Sequence, residues 1–381
     1  MMLDTLLLKG KCGRRLISLV LPLSAALALS FLLGGQLQNH AGLYWNLQSV
    51  LLFLAIWLLC FFLLCHLFET VPVWLARGKT IRQISNRALF LSTFCIFCLI
   101  ACVWILAFFP MLLNYDIDEH LMQIAYHNYH THQPLVYTLL LQGLLLISSS
   151  LGLTDTWSFL MLGLFQIAVM GLTMSYALVS FNRSGNGRRM MVFAAAYYCL
   201  FPLFGYFAVS ATKDGLFACF LTLTAVELYR MVSGSKSRWS VFRLILFALL
   251  MCQLRYNGLL TLILFTGLTL VFGLVHRFRA PYRRLAIVLP LIILLHFGFT
   301  QALVLITNAA TPSTVKRDVL SLPLQQMVRA LQTAQDEQDI AAIERFFATD
   351  DILAYYSPAI ADPVKNQLLD PDENFTSVLK T

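Results

Sequence analysis

Charge is what this chain has least of. Asp, Glu, Lys and Arg together make 12% of its 381 residues, while hydrophobic residues make 59%. That balance excludes an ordinary soluble domain, in which roughly a quarter of the residues are charged. A disulfide framework is also missing. The nine cysteines (Cys12, Cys60, Cys65, Cys95, Cys98, Cys102, Cys199, Cys219 and Cys252) all fall in or near apolar runs, none in a polar segment, and none at metal-ligand spacing. Cys95, Cys98 and Cys102 follow helical spacing, which reads as small-residue packing. No internal repeat and no low-complexity segment interrupts the sequence. No charged residue lies deep in an apolar run; Glu227 comes nearest and stands close to the end of one.

What is there is a series of apolar runs near twenty residues, enough at 1.5 Å per residue to cross a bilayer core of ~30 Å. Only helices can do so, because lipid offers the backbone no hydrogen-bond partner. Runs 15–34, 45–66, 88–109, 158–181, 190–210, 214–232, 242–254, 257–275 and 285–306 are the candidates, with 242–254 short. The expectation is an all-α polytopic transmembrane bundle of about nine spans. Residues 1–87 hold two spans and a cytoplasmic loop, 88–306 form the membrane core, and 307–381 form a polar extracytoplasmic segment.

Orientation follows from the basic residues. Lys9, Lys11, Arg14 and Arg15 precede the first span, and Arg77, Lys79, Arg82 and Arg87 follow the second. Further clusters are Arg183, Arg188 and Arg189; Arg230, Lys236, Arg238 and Arg243; and Arg277, Arg279, Arg283 and Arg284. These 19 of the 27 Lys and Arg residues all reach the cytoplasm if the N-terminus is inside and the apolar segment 134–152 does not cross. Segment 134–152 is therefore expected as an interfacial or half-inserted helix. The net charge of +8 reflects this topology and carries no message about nucleic acid. Leu16–Leu33 is long for a signal peptide and reads as an uncleaved anchor in the plasma membrane.

On this topology 110–157 and 307–381 face outward. The last 75 residues carry eleven of the nineteen acids. Ser321 to Phe347 reads as one helix with Leu324, Val328 and Leu331 on a face, followed by an ordered loop around Tyr355, Tyr356, Pro358, Asp362 and Pro363. The chain stops outside without a returning helix, which suits a sequence cut short.

The outer loop 110–157 concentrates the polar chemistry. Asp116, Asp118 and Glu119 form a carboxylate cluster at a membrane boundary, a costly arrangement that marks a functional site; a solvated helix start, where acids suit the helix dipole, is the plain alternative. From Asp116 to Thr131 the apolar residues Ile117, Leu121, Ile124 and Ala125 recur at helical spacing, with Asp116, Glu119, His120, Gln123, His127 and His130 on the other side. This pattern predicts an amphipathic helix lying on the bilayer, its polar face toward an enclosed cavity. Pro134 ends it and suits the first turn of the next helix.

This order of parts resembles the GT-C superfamily of lipid-sugar-dependent glycosyltransferases. Such enzymes place an acidic residue or pair beyond an early transmembrane helix, then a juxtamembrane helix, then a Pro-Leu segment. The matching residues are Asn114-Tyr115-Asp116-Ile117-Asp118-Glu119, the helix to Thr131, and Gln133-Pro134-Leu135. Gln133 stands where the family has a second proline or a basic residue. Thr212-Lys213-Asp214-Gly215-Leu216-Phe217 and Arg255-Tyr256-Asn257-Gly258 are similar to a bacterial subfamily of unassigned activity. The likeness covers roughly residues 88–365.

The resemblance implies transfer of a sugar from a polyprenyl-phosphate donor to a glycan, lipid or protein acceptor in cell-envelope assembly. Asp116 or Asp118, with Glu119 beside them, would take the acceptor proton, or Asp116 and Asp118 would hold a divalent metal such as Mg or Mn. Asp116 shares a face with Glu119 and His120, which favours it on geometry. Lys213 and Arg255 are candidates to steady the departing phosphate, with snorkelling to lipid headgroups as the plainer role. His127, His130 and His132 are substrate-binding candidates or, with 127 and 130 on one face, metal ligands. Tyr115, Tyr126, Tyr129, Trp157 and Tyr356 suit a sugar site and an interfacial aromatic belt equally. Two other classes stay open: a transporter or flippase of a lipid-linked or polar solute, and a non-catalytic envelope-assembly protein.

Overall fold

The structure is a computed structural model that describes residues 20–30, 32, 47–76, 84–114, 116–184, 188–234, 237–275, 280–310, 320–332, 337–349, 351–357 and 360–369. Tyr115, Pro358 and the basic residues Lys9, Lys11, Arg14, Arg15, Arg77, Lys79, Arg82, Lys236, Arg277 and Arg279 lie outside the described residues. The chain divides into two units, one formed by Met1–Trp74 with Pro312–Thr381 and the other by Leu75–Thr311.

In the first unit, α1 (Val20–Ser30) and α2 (Leu47–Ala76) are joined by the Trp57 indole, which donates to Ser24 Oγ at 3.1 Å. The tail segment builds a small core of its own. Leu324, Val328, Phe346, Ile352 and Val364 are almost fully buried in it.

The second unit is a helical bundle. It comprises α3 (Asn86–Ala107), β1 (Leu112–Leu113), α4 (Asp116–Ala125), α5 (Leu135–Ser150), α6 (Asp155–Arg183), α7 (Arg188–Leu200), α8 (Pro202–Val209), β2 (Ser210–Ala211), α9 (Lys213–Val232), α10 (Arg238–Leu254), α11 (Tyr256–Val275) and α12 (Ala280–Thr307). Back in the first unit, the tail holds α13 (Ser321–Leu331), α14 (Glu337–Glu344), a 3-10 turn (Ile352–Tyr355) and α15 (Asp362–Lys365). The single helix expected over Ser321–Phe347 is therefore two. Between Leu331 and Ile340 the only apolar residue is Ala334, so no buried stripe carries the helix through.

The chain is a multi-pass helical membrane protein. Among the described residues, six helices are long and apolar enough to cross a membrane: Leu47–Cys65 within α2, Asn86–Ala107, Asp155–Arg183, Lys213–Val232, Tyr256–Val275 and Pro281–Thr307. The run expected at 190–210 is the α7–α8 pair, bent by 48°. Pro202 at the first position of α8 causes the break, because it has no N–H to continue α7. Residues 242–254 belong to α10, whose 17 residues reach about 25 Å, short of a bilayer core. Segment 134–152 is the 16-residue α5.

Two features position the site. β1 and β2 pair in parallel, Leu112 with Ser210 and Leu113 with Ala211, so the start of α4 lies beside the start of α9. Gln166 of α6 anchors this junction by donating to the Ser210 carbonyl at 2.8 Å. The second is a close approach of α11 to the end of α10. A Cβ on Gly258 would sit 2.6 Å from the Met251 carbonyl oxygen, so only glycine lets the Arg255-Tyr256 turn close.

The same helices carry their basic residues at their other ends. There Glu227 is completely buried, with Arg243 Nε at 2.7 Å, Arg230 Nη1 at 3.5 Å and the Tyr176 hydroxyl donating to it. A buried carboxylate is tolerated when it is paired and hydrogen-bonded, and here Oε1 takes all three partners.

Candidate functional site

The first turn of α4 presents Asp116, Asp118 and Glu119 where acids complement the positive end of the helix dipole. Its apolar residues Ile117, Leu121 and Ile124 pack with Met111, Tyr137, Leu141 and Leu216, so the helix rests on protein. The helix also ends earlier than its sequence pattern suggests. His127 takes a left-handed conformation, φ 50°, and Asn128 N–H bonds back to the Gln123 carbonyl at 3.1 Å. This is a Schellman termination with histidine in the usual glycine position. The helix expected to run to Thr131 therefore stops at Ala125, and the chain returns through Asn128 and Tyr129 to a bridge at His130. There His130 bridges to Ala310: Thr131 N–H donates to the Ala310 carbonyl and Ala310 N–H to the Tyr129 carbonyl, each at 2.9 Å.

That return folds a chain of polar groups. Lys213, first residue of α9 and nearly buried, places Nζ 2.6 Å from Asp116 Oδ2 and 2.6 Å from Gln133 Oε1. Gln133 Nε2 in turn donates to Glu119 Oε2 at 2.6 Å. Glu119 also faces His130 Nε2 at 3.6 Å and His132 Nε2 at 3.7 Å. An ammonium out of water is costly unless paired and hydrogen-bonded, and Lys213 has both kinds of partner. Beside this chain, Arg255 Nη1 lies 3.1 Å from Asp214 Oδ1. Asp214 is fixed by Thr212, whose hydroxyl caps α9 by accepting from Asp214 N–H.

His120 and Gln123, on the face expected to look into an enclosed cavity, are 1% and 2% exposed. Thr138 donates to the Pro134 carbonyl, so its oxygen accepts from His120 Nδ1–H at 2.7 Å. Burial, helped by the nearby Lys213 charge, pushes the His120 pKa down to about 4. Burial also lowers the His130 pKa, against the opposing pull of Glu119. Gln123 Oε1 accepts from the His130 backbone N–H at 3.2 Å, tying the return segment to α4.

The structure thus brings together Asp116, Glu119, His130, His132 and Lys213, and sets Arg255 with Asp214 next to Lys213. It does not bring in His127, which is exposed at the helix end, or Asp118, which is exposed and has no ion pair with a described residue. His127 and His130 share no face, because the left-handed turn separates them. Gln133, seen in the sequence only as a departure from a pattern, is the link between the two acids and the lysine. Its signal was its place before Pro134, which holds the backbone extended at the mouth of α5. Among the described residues no three His, Cys, Asp or Glu side chains could hold a metal ion. Asp116 Oδ2 is held by the Lys213 ammonium.

A cavity of about 390 Å³ opens beside Asp214 and Arg255. Its walls are apolar, formed by Met174, Phe204, Phe207 and Phe217 among others. The Arg255 guanidinium carbon stands 6.0 Å from the Phe217 ring centre, at the boundary between charged mouth and apolar wall.

Residues 125–371 match a family of unknown function, DUF6020. No curated protein and no solved structure matches the chain.

Proposed function

The chain belongs to the DUF6020 family, and we propose that it is a membrane glycosyltransferase moving a sugar from a polyprenyl-phosphate donor to an acceptor on the outer face of the plasma membrane, in cell-envelope glycan assembly. The observation that supports this reading is the continuous Asp116–Lys213–Gln133–Glu119 chain, each link 2.6 Å, beside an apolar cavity headed by Asp214 and Arg255. Acid, cation and lipid-sized apolar space are the three things the reaction requires.

In this reading the anomeric carbon–phosphate oxygen bond of the donor breaks and an anomeric carbon–acceptor oxygen bond forms. Asp116 takes the acceptor proton: Lys213 engages one carboxylate oxygen and leaves the other to act as base. Lys213 and Arg255 offset the charge gained by the departing phosphate, Arg255 through its planar donor fork. Glu119, held by Gln133, sets the position of that glutamine and through it Lys213. The prenyl chain lies along the apolar walls of the cavity.

The basic clusters support the orientation. Arg183 and Arg230 stand near the ends of α6 and α9, two helices long enough to cross, whose opposite ends begin at Asp155 and Lys213. With those arginines in the cytoplasm, the N-terminus is inside, while the site and the C-terminal segment are outside.

Mass-spectrometric profiling of lipid-linked sugars and envelope glycans tests the proposal. Wild type is compared with a deletion strain and with Asp116→Asn at matched protein level. Loss of one glycan sugar in both mutant strains, with build-up of its lipid-linked donor, is the expected result. A deletion phenotype that Asp116→Asn does not reproduce would replace the transferase with a transport or scaffold role.

A further inference from the structure

A second cavity lies behind Gln133, between the start of α5, the end of α10 and the middle of α12. Its volume is about 60 Å³, against about 390 Å³ for the cavity at Asp214, so it is much the smaller of the two and suits a substituent. Gln253, His296, Thr300 and Arg255 line it with polar groups, and Pro134, Leu135 and Leu303 supply apolar surface. Gln253 and His296 are each 8% exposed.

His296 sits within a helix long and apolar enough to cross a membrane, roughly 16 Å from its Thr307 end by helical rise. A polar ring at that depth is a functional-site signal. Its protonation pattern can be read from its partner. Gln253 Nε2 donates to the His296 carbonyl at 3.3 Å and lies 3.0 Å from His296 Nδ1, so the amide nitrogen faces the ring. Nδ1 therefore accepts and Nε2 carries the proton. Gln253 is further occupied by Thr300, Nε2 lying 3.0 Å from its hydroxyl and Oε1 accepting from that hydroxyl at 3.4 Å. No described residue accepts from His296 Nε2–H. The cavity thus offers a neutral donor, His296 Nε2–H, close to apolar surface and beside the glutamine that holds Lys213.

From this geometry we infer that the cavity is a specificity pocket for the acetamido group of an N-acetylated sugar. An acetamido group has the matching halves: a carbonyl to accept from His296 Nε2–H and a methyl to lie against Pro134, Leu135 and Leu303. Its few non-hydrogen atoms suit the small volume. A hydroxyl in its place would leave the apolar surface of Pro134, Leu135 and Leu303 uncovered. The inference rests on the proposed transferase reading and names the class of sugar it takes.

The test is binding, measured apart from turnover, on the full chain in lipid nanodiscs. Octyl 2-acetamido-2-deoxy-β-D-glucoside and octyl β-D-glucoside share an alkyl chain and differ only in the acetamido group. Thermal stabilisation by the N-acetylated probe is expected at a concentration about tenfold lower than by the other. His296→Phe should abolish that preference. Leu303→Trp, which fills the cavity and leaves the Gln253–His296 contact in place, should abolish it too, should His296→Phe fail to fold. Equal stabilisation by both probes, or a preference that survives Leu303→Trp, overturns the pocket. Selectivity in a chain that transfers no sugar keeps the pocket and overturns the transferase reading alone.

Discussion

The Lys213 ammonium lies 2.6 Å from the Asp116 carboxylate although 97 residues separate them. The contact is made by the two-residue β1–β2 pairing, which holds the N-terminal ends of α4 and α9 side by side. Two helix starts, each hospitable to an acid, are thereby set so that a lysine from one answers the acid of the other.

Replacing Lys213 with Met leaves Asp116 and Gln133 without their shared donor. Stability should fall by about 3 kcal/mol, the usual consequence of removing one partner from a largely buried pair. Adding Asp116→Asn to Lys213→Met should recover much of that stability while activity stays lost. Thermal unfolding in detergent and sugar transfer, measured on both variants, check this.

Gln133→Leu removes the neutral link between Lys213 and Glu119. The expected destabilisation is about 2 kcal/mol, since two charged groups lose a hydrogen bond in partly buried surroundings. Gln133→Glu should keep the Lys213 contact but repel Glu119, so it should recover binding of the lysine without recovering the order of Glu119. Double-mutant cycles with Glu119→Gln separate the two contributions; a coupling near zero between positions 119 and 133 would refute the link.

Asp116 and Asp118 should part company on mutation. Asp116→Asn is expected to lower transfer by about 100-fold, the scale of a lost general base. Asp118 is exposed and unpaired with any described residue, so Asp118→Asn should change stability by less than about 0.5 kcal/mol and leave transfer near wild type. Equal losses would mean that the two acids act together.

The buried His120 predicts an acid limb in stability. Its folded pKa of about 4 lies below the ordinary value of 6.5, so between those values the unfolded chain binds a proton that the folded chain refuses. Stability is then fully present above pH 6.5 and falls as pH drops to 4, by up to about 3 kcal/mol. His130, lowered in the same direction, adds to the slope. His120→Gln, which keeps a donor for Thr138, should flatten the limb; an unchanged pH profile in that variant would assign it to other groups.

Gly258→Ala tests the α10–α11 turn. Its added methyl meets the Met251 carbonyl at 2.6 Å, which backbone cannot yield without separating the helices. A loss of about 1–3 kcal/mol is expected, with weaker transfer because Arg255 and Tyr256 move with the turn.

The apolar runs, the acidic start at Asp116 and the candidates Lys213 and Arg255 were legible because each depends on local composition or on short spacing. The α7–α8 break was written in Pro202, yet an apolar run continuous across it masks the bend. The Ala125 stop was harder to see: His127 in a left-handed turn breaks no propensity rule strongly enough to outweigh the apolar spacing through Ile124. Gln133, His120 and His296 were not legible as site residues, since a glutamine or histidine gains its meaning from what lies opposite it.

By itself, then, the sequence determined an all-helical chain that crosses a membrane several times, because hydrocarbon demands long apolar runs and closed backbone hydrogen bonds wherever they occur. It also determined which helix ends carry acids and which carry arginines. Tertiary structure alone decided that Asp116 meets Lys213, that Gln133 joins them to Glu119, that His127 and Asp118 stand aside, and that Gln253 sets the proton of His296. Those are contacts between segments far apart in the chain, and hydrogen bonds at that range are chosen by how helices pack, a relation no local pattern contains.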